Sequence, residues 1–564
     1  MESQQHSESF SVADRPGKVA RLANEEFDLL IIGGGITGAG AARDAASRGM
    51  KVALIEAKDY AIGTSSRSSK LIHGGIRYLE NMEFGLVFEA LSERRLLFEL
   101  APHLVHPLRF VLPLYKGGRV GMFKMGLGMW LYDALSMFEA PELHERLTAK
   151  ESTERLPLLQ TKDLMGSYVY SDAYMDDDRL CIETHRAAAK LGTVAANYVT
   201  ANDAEIKNGK IASVGATDTT TGKSFRIRSK HVISTTGPWT DLVASQLLGN
   251  WKKILRPSKG VHLTFDRKRL PLHQAVVMAA DSQKRIVFGI PRHEMIIVGT
   301  TDTDFSGDPY DVGATEQDVK YLLNVASEYF PGAKLTANDI ISTYAGVRPL
   351  VDDGAASESK TSREHVIIND PRGVTFVAGG KYTTYRRMAE HTVEEALKSF
   401  SVEDQVKFGH GDTKKALNPL ATVELMEQSR RSAAEWAKEY DIDRIAMDVM
   451  IDRHGAEALK LITEGRHVAN YTASSEDKVW AFEAVHAIKH TMCRGLIDFY
   501  VRRSPLFLAR HDHGLGLLAL ISKVFAKELG WSDSKRQEES AAIQAYVKHE
   551  LAWKLKFGIS PSSV

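Results

Sequence analysis

The chain has 564 residues and carries 72 Lys plus Arg against 72 Asp plus Glu, so its formal net charge is zero. That balance argues against a general polyanion binder, and no nucleic acid is expected as a partner. Hydrophobic residues at 43% and charged residues at 26% fit a soluble globular protein of two to four domains. The two cysteines, Cys181 and Cys493, give neither a disulfide framework nor a metal-ligand spacing, so a reducing compartment is expected.

Residues 1–26 are polar and lack the apolar core of a secretory signal, which predicts a flexible N-terminal extension. From Phe27 the pattern is strand, glycine turn, helix, strand. Leu29 to Ile32 is a continuous apolar run, as in a strand buried on both faces. Ala39 to Arg48 is Ala-rich and helix-forming, Gly49 stops it, and Val52 to Ile55 is the second strand. Between the strands lies Gly33-x-Gly35-x-x-Gly38. Gly33 allows the tight turn, Gly35 lets backbone approach a pyrophosphate, and Gly38 lets helix pack on strand. The helix N-terminus then offers free N–H groups to phosphates. Glu56 ends the second strand, placed to accept from an adenosine ribose and to repel the 2′-phosphate of NADP. A dinucleotide site follows.

The fingerprint alone leaves FAD and NAD open. The segment Thr64-Ser65-Ser66-Arg67-Ser68-Ser69-Lys70-Leu71-Ile72-His73-Gly74-Gly75 supplies hydroxyls and glycines that line an extended cofactor. Further on, Phe376-Val377-Ala378-Gly379-Gly380-Lys381 repeats the strand–glycine–helix device. A second helix N-terminus with Lys381 there would stabilise negative charge on a reduced flavin. Two such devices suit one long cofactor, FAD, held at both ends.

Phe84 to Leu100 has helical periodicity. Gly121 to Phe138 is Met-rich and apolar, interrupted by Lys124 and Asp133; it reads either as a core helix or as a helix lying in a membrane surface. No run of 18 apolar residues is present, so no membrane-spanning helix is expected. Asp172, Asp176, Asp177 and Asp178 read as turn and helix-start carboxylates rather than a metal cluster, and Leu180 to Ala196 as a helix. Ile206 to Ile233 holds short alternating strands. Val261 to Leu263, Ile286 to Ile290 and Met295 to Val298 belong to a separate, mostly antiparallel sheet, and Val374 to Val377 is a further buried strand. Beyond about residue 405 helical patterns dominate, as in Ala421 to Tyr440, Lys478 to Tyr500 and Ala541 to Trp553. The expected division is 1–26 extension, 27–404 cofactor-binding domain with an interleaved substrate domain, and 405–564 helical domain.

The strings IIGGGITGAG, TSSRSSKLIHGGIRYLE, TTGPW, YAGVRPL and AGGKYTTYRRMAEH, in this order, resemble the FAD-dependent glycerol-3-phosphate dehydrogenases of aerobic, respiratory type. SSKLIHGGIRYLE is the most specific of them. The resemblance runs from Asp28 to the C-terminus, more loosely in the helical tail. It implies an α/β FAD-binding Rossmann-like domain of the glutathione-reductase and D-amino-acid-oxidase type, an antiparallel-sheet substrate domain and an α-helical C-terminal domain. It also implies oxidation of sn-glycerol 3-phosphate to dihydroxyacetone phosphate, with a hydride passing to flavin N5 and electrons to membrane quinone. The expected location is the cytoplasm, peripherally on the inner face of the cytoplasmic membrane, with a homodimer left open.

The same resemblance assigns Arg77, Tyr78, Arg348, Arg363 and Lys381 to the substrate phosphate and flavin, since arginine binds phosphate bidentately. His262 in RPSKGVHL is the expected base and Arg348 the group beside the same oxygen. The plainer alternatives are a core histidine at His262 and surface ion pairs at the arginines. Expected FAD contacts are Gly33, Gly35, Gly38, Glu56, Thr64, Ser65, Ser66, Ser69, Lys70, Leu71, His73, Gly237, Gly380, Lys381 and Thr383. Thr235-Thr236-Gly237 departs from the resembled family, where Asn or Ala is common before the Thr-Gly of this strand end. No D-x-[DN]-x-[DN]-G loop is present, so the calcium regulation of some mitochondrial relatives is not expected. Three alternatives stand beside the leading function: a glycerophosphate oxidase using O2, an amine or amino-acid oxidase on the same fold, and a flavin-bound sensor or scaffold.

Overall fold

The computed structural model describes residues 9–280, 285–352 and 365–559. Among these residues the strands form one eight-stranded and one ten-stranded sheet. The eight-stranded sheet has a parallel centre. Glu26–Ile32 lies between Val52–Glu56 and Lys223–Ser234, flanked by Val194–Asn197 and Val374–Gly379. His365–Asp370 closes one edge antiparallel. The first strand is buried on both faces: Leu29 and Ile31 pack against Ala41, Ala42 and Ala45 of helix Ile36–Ser47, while Phe27, Leu30 and Ile32 belong to the core on the other side. That two-sided burial is why its sequence is uninterrupted rather than alternating.

The ten-stranded sheet is mostly antiparallel. Ser258–Asp266 pairs with Met295–Gly299 and Ile340–Arg348, and Val105–Tyr115 pairs with Leu164–Met175. One junction, Val105–Tyr115 with Ala275–Ala280, is parallel. Helices dominate from Val423 onward, with Thr422, Ser474 and Ser532 each accepting a backbone N–H as side-chain caps.

Several expectations are corrected. Residues 9–25 are no flexible extension. Phe10 is buried, its carbonyl accepts from Met492 N at 3.1 Å, and Arg15–Asn24 is a helix. The Arg15 guanidinium, 2% exposed, donates to Asn197 O at 2.7 Å and to Asp218 Oδ1 at 2.8 Å. These partners lie far along the chain, so local polarity could not reveal them. Leu180 to Ala196 is not one helix: Asp177–Lys190 ends before Gly192 at φ +98°, and Val194–Asn197 joins the parallel sheet. Lys478 to Tyr500 is likewise broken into Ser475–His490 and Leu496–Arg502, with Met492 in the left-handed region between them.

Asp176, Asp177 and Asp178 do lie at a helix start, but Asp172 sits in the strand Leu164–Met175, and the acidic side chains serve as countercharges. Asp172 faces Arg94 at 2.7 Å, Asp176 accepts from Arg292 Nε at 3.0 Å, and Asp177 takes the Lys70 ammonium.

Candidate active site

The two sheets enclose a cavity of about 440 Å³. Its lining comes from Gly33 and Gly35 in the first turn, Glu56, the 62–73 segment, Thr235 to Trp239, His262, Arg348, and Val377 to Thr383. One continuous space therefore meets both glycine devices.

The first turn is shaped for a bound phosphate group. Gly33 sits at φ +112°, and a Cβ there would stand 2.8 Å from Thr235 O. A Cβ on Gly38 would lie 2.0 Å from Gly33 O, so only glycine lets helix Ile36–Ser47 pack this close. Gly35 borders the cavity at the N-terminal end of that helix, where exposed N–H groups and the helix dipole favour an anion. Glu56 accepts from Gly34 N at 2.7 Å and Lys58 N at 2.9 Å, which fixes its carboxylate at the cavity wall. Burial pushes its pKa up, opposed by those two backbone donors.

Within the hydroxyl-rich segment the roles separate. Thr64 Oγ1 donates to Val347 O at 2.7 Å, and Ser65 Oγ accepts Ile36 N at 2.9 Å, tying the segment to the glycine-turn helix. Thr64, Ser65, Ser69, Leu71 and His73 line the cavity. Ser66 and Lys70 are not among its lining residues. The Lys70 ammonium is fully buried against Asp177, 3.8 Å from Asp178 Oδ2 and 3.3 Å from Ser66 O. Its charge is spent inside the protein, where a lysine needs a carboxylate partner.

At the second device, Gly379 and Gly380 adopt φ +75° and +95°. The following helix, Tyr385–Leu397, begins only after a turn. Lys381, Tyr382 and Thr383 in that turn line the cavity. Thr383 Oγ1 accepts from His73 N at 3.2 Å, and the Lys381 ammonium lies 3.9 Å from the centre of the Tyr78 ring. Thr236 and Gly237 also line the cavity, and Thr235 Oγ1 donates to Gly33 O at 3.1 Å.

His262 and Arg348 come from neighbouring antiparallel strands, in which Ser258 opposes Arg348 and His262 opposes Tyr344. Arg348 is held by Thr300 Oγ1 at 3.1 Å and Asp302 Oδ1 at 3.2 Å, with its side chain 23% exposed. His262 is 1% exposed, and its Nε2 lies 2.9 Å from Ser69 Oγ. Burial, then Arg348 and Lys70, push its pKa well below that of a free imidazole, so the ring is neutral. Arg77 lies in the turn Ile76–Asn81; Arg363 lies outside the described residues.

Among the lining residues that carry no assignment from sequence alone are Arg67, Trp239 and Tyr310. Arg67 reaches the cavity while donating from Nη1 to Ala345 O at 2.8 Å. Trp239 and Tyr310 pack with ring centres 4.2 Å apart and planes tilted by 32° on the cavity wall. Arg67 and Trp239 stand inside recognisable strings, a usable signal; Tyr310 has no such context.

A family model described as FAD dependent oxidoreductase matches residues 28–386, and one described as the C-terminal domain of alpha-glycerophosphate oxidase matches 422–536. The chain is 34% identical to an aerobic glycerol-3-phosphate dehydrogenase of Staphylococcus saprophyticus over 93% of its length and 94% of the relative's. It is 36% identical to one from Bacillus subtilis, over 88% and 90%. The solved glycerol-3-phosphate dehydrogenase from Bacillus halodurans, complexed with FAD, superposes with a TM-score of 0.77 at 28% identity, covering 96% of this chain and 98% of that one. A cavity that meets both glycine turns, in a chain related along its length to these proteins, places it in the FAD-dependent oxidoreductases, with FAD as cofactor, and it belongs to their aerobic glycerol-3-phosphate dehydrogenases.

Proposed function

We propose that this protein oxidises sn-glycerol 3-phosphate to dihydroxyacetone phosphate and passes the electrons to membrane quinone. The observation that carries the substrate assignment is the charge of the cavity. Arg67, Arg348 and Lys381 line it, and Glu56 is the one carboxylate among the described lining residues. Such a wall suits a phosphate dianion, with guanidinium groups fixing orientation as well as charge. Tyr78, beside Lys381, adds a hydroxyl on the same wall.

FAD, when bound, would supply the two-electron acceptor for the hydride of the secondary alcohol, with flavin N5 the proposed accepting atom. The remaining work belongs to side chains. Neutral His262 is the base for the proton of the reacting hydroxyl, and Arg348 stabilises the alkoxide charge that develops as the proton leaves. Lys381, anchored over Tyr78, holds positive charge at the second glycine turn. Gly33, Gly35, Glu56, Ser65 and Thr383 hold the cofactor at its two ends.

Quinone as acceptor and attachment to the inner face of the membrane rest on helix Met122–Leu135. It buries Met129 and Tyr132 but exposes Phe123 (82%), Leu127, Leu131 and Trp130 (60%), and Met137 and Phe138 are exposed just beyond. An apolar face of that kind lies in a lipid interface at low cost. No helix among the described residues is long and apolar enough to cross a membrane. The opposite face of the same helix touches the site: Tyr132 OH accepts from Gly74 N at 3.0 Å and donates to Asp172 at 2.8 Å. One helix thus lies between this exposed apolar face and Gly74, the neighbour of the lining residue His73.

Steady-state turnover with sn-glycerol 3-phosphate tests both parts. A quinone analogue is expected to sustain turnover much faster than oxygen alone. Equal rates with oxygen would assign an oxidase instead. Turnover with glycine, sarcosine or a D-amino acid and none with glycerol phosphate would refute the substrate.

A further inference from the structure

The serine-rich segment is built to present one hydroxyl. Asp177 Oδ2 accepts from Ser68 N at 3.2 Å and from Ser68 Oγ at 2.7 Å, while Oδ1 takes the Lys70 ammonium. Ser68 Oγ also accepts from Lys70 N at 2.9 Å. The residues on both sides of Ser69 are thus pinned to one buried carboxylate. Lys70 stands at φ +54°, a conformation costly for a side-chain-bearing residue, which a surrounding structure must hold in place. The kink sends the Lys70 side chain into the interior and leaves Ser69 on the cavity wall.

There Ser69 Oγ lies 2.9 Å from Nε2 of His262. Most of the imidazole is enclosed, although the residue also borders the cavity. One face stacks on Tyr344, with ring centres 4.6 Å apart and planes within 8°, and Tyr344 OH donates to Ser68 O at 3.0 Å. A Cβ on Gly299 would come within 2.1 Å of His262 Cδ2, so backbone packs directly on that edge. Nδ1 is buried with no hydrogen-bond partner. The nitrogen that faces a polar group is the one that faces Ser69, and Ser69 is the more exposed of the two.

We propose that Ser69 is a catalytic residue that relays the substrate's proton to His262, rather than only a contact for the cofactor. As the substrate O–H bond breaks, Ser69 Oγ takes that proton and its own hydroxyl proton moves to His262 Nε2. The carbinol hydrogen leaves with both C–H electrons, as a hydride for which the FAD would be the acceptor, as the C=O bond forms. Ketone, protonated imidazole and two-electron-reduced cofactor balance the step, and the serine ends as it began. The proposal rests on the reading of His262 as base. It requires the resting imidazole to carry its proton on Nδ1.

The test follows flavin reduction by sn-glycerol 3-phosphate in anaerobic stopped flow, on FAD-saturated enzyme. Ser69→Ala is expected to slow the limiting rate by about 10²–10⁴-fold, the range of a lost acid–base group, and Ser69→Thr to stay within about tenfold of the parent. The Ser69→Ala/His262→Asn double variant is expected to be no slower than the slower single variant, because both belong to one relay. A fast Ser69→Ala with a slow His262→Asn overturns the relay and leaves the base standing; two fast variants overturn the base as well. Losses that multiply in the double variant also overturn the relay. Outside turnover, ¹⁵N-histidine spectra, with the His262 signal identified by its loss in His262→Asn, are expected to show the Nδ1–H tautomer; an Nε2–H tautomer contradicts the relay.

Discussion

Arg503 donates from Nη2 to Asp59 Oδ1 at 2.9 Å across 444 residues of chain. Arg502 Nε reaches Asp59 Oδ2 at 2.6 Å. Asp59 is fully buried, three residues past Glu56. Burial works to raise its pKa, but Arg503 and Arg502 overcome that and hold it below the usual carboxylate range. The helical C-terminal part therefore clamps the loop that follows Glu56, the proposed ribose-binding acid. Arg503→Ala is expected to lower stability by up to about 3 kcal/mol, with Arg502 still facing the carboxylate, and to weaken FAD binding. Thermal melts and flavin fluorescence titration check this.

Gly38→Ala is expected to abolish FAD binding. The added Cβ would lie 2.0 Å from Gly33 O and 2.7 Å from Thr235 Oγ1, and relief means moving the glycine turn or the helix behind it. Flavin absorbance of the purified variant reads the result directly.

Arg348→Ala is expected to retain FAD and slow flavin reduction by about 10²–10³-fold, the typical effect of removing one group that stabilises an oxyanion. Arg348→Lys is expected to recover only part of that rate, because a point charge does not reproduce the guanidinium fork that spans Thr300 and Asp302. Single-turnover reduction of FAD-loaded variants measures both.

Glutamate at Phe123 and Trp130 is expected to abolish co-sedimentation with anionic liposomes while leaving anaerobic flavin reduction unchanged. Both side chains project from helix Met122–Leu135, away from the Tyr132 contact to Gly74. Parent-level liposome binding by the double variant would remove this helix as the membrane contact.

Acid is expected to destabilise the fold between the pH where free histidine titrates and about pH 4. Burial lowers the pKa of both His185 and His231 to about 4. Unfolded histidines take up protons near pH 6.5, so the unfolded chain binds more protons as pH falls through this window. The stabilisation is complete above that value and is lost as pH falls, by at most about 3 kcal/mol for each residue. Urea midpoints at neutral and mildly acidic pH check the sign.

How much of this was legible in the sequence follows from distance along the chain. The turn at Gly33, Gly35 and Gly38 and its partner Glu56 lie within one βαβ unit, so spacing alone carries the geometry. His262 and Arg348 reach one cavity because their two strands pair in register, and their strings, not their periodicity, singled them out. Lys70 shows the limit. It stands inside the most specific string, yet Asp177 draws its ammonium away from the cavity. Arg15 and Phe10 show the same limit at the N-terminus, where partners near Asp218 and Met492 turn a polar stretch into a packed element. Helix Met122–Leu135 left core and membrane surface open, because its composition suits both; only its exposed aromatic residues favour the second.

The central claim is tested most directly by mixing FAD-loaded enzyme with sn-glycerol 3-phosphate in the absence of oxygen and assaying the product. The account predicts rapid bleaching of the flavin band with one dihydroxyacetone phosphate formed for each flavin reduced. A flavin band that persists at saturating substrate would contradict it.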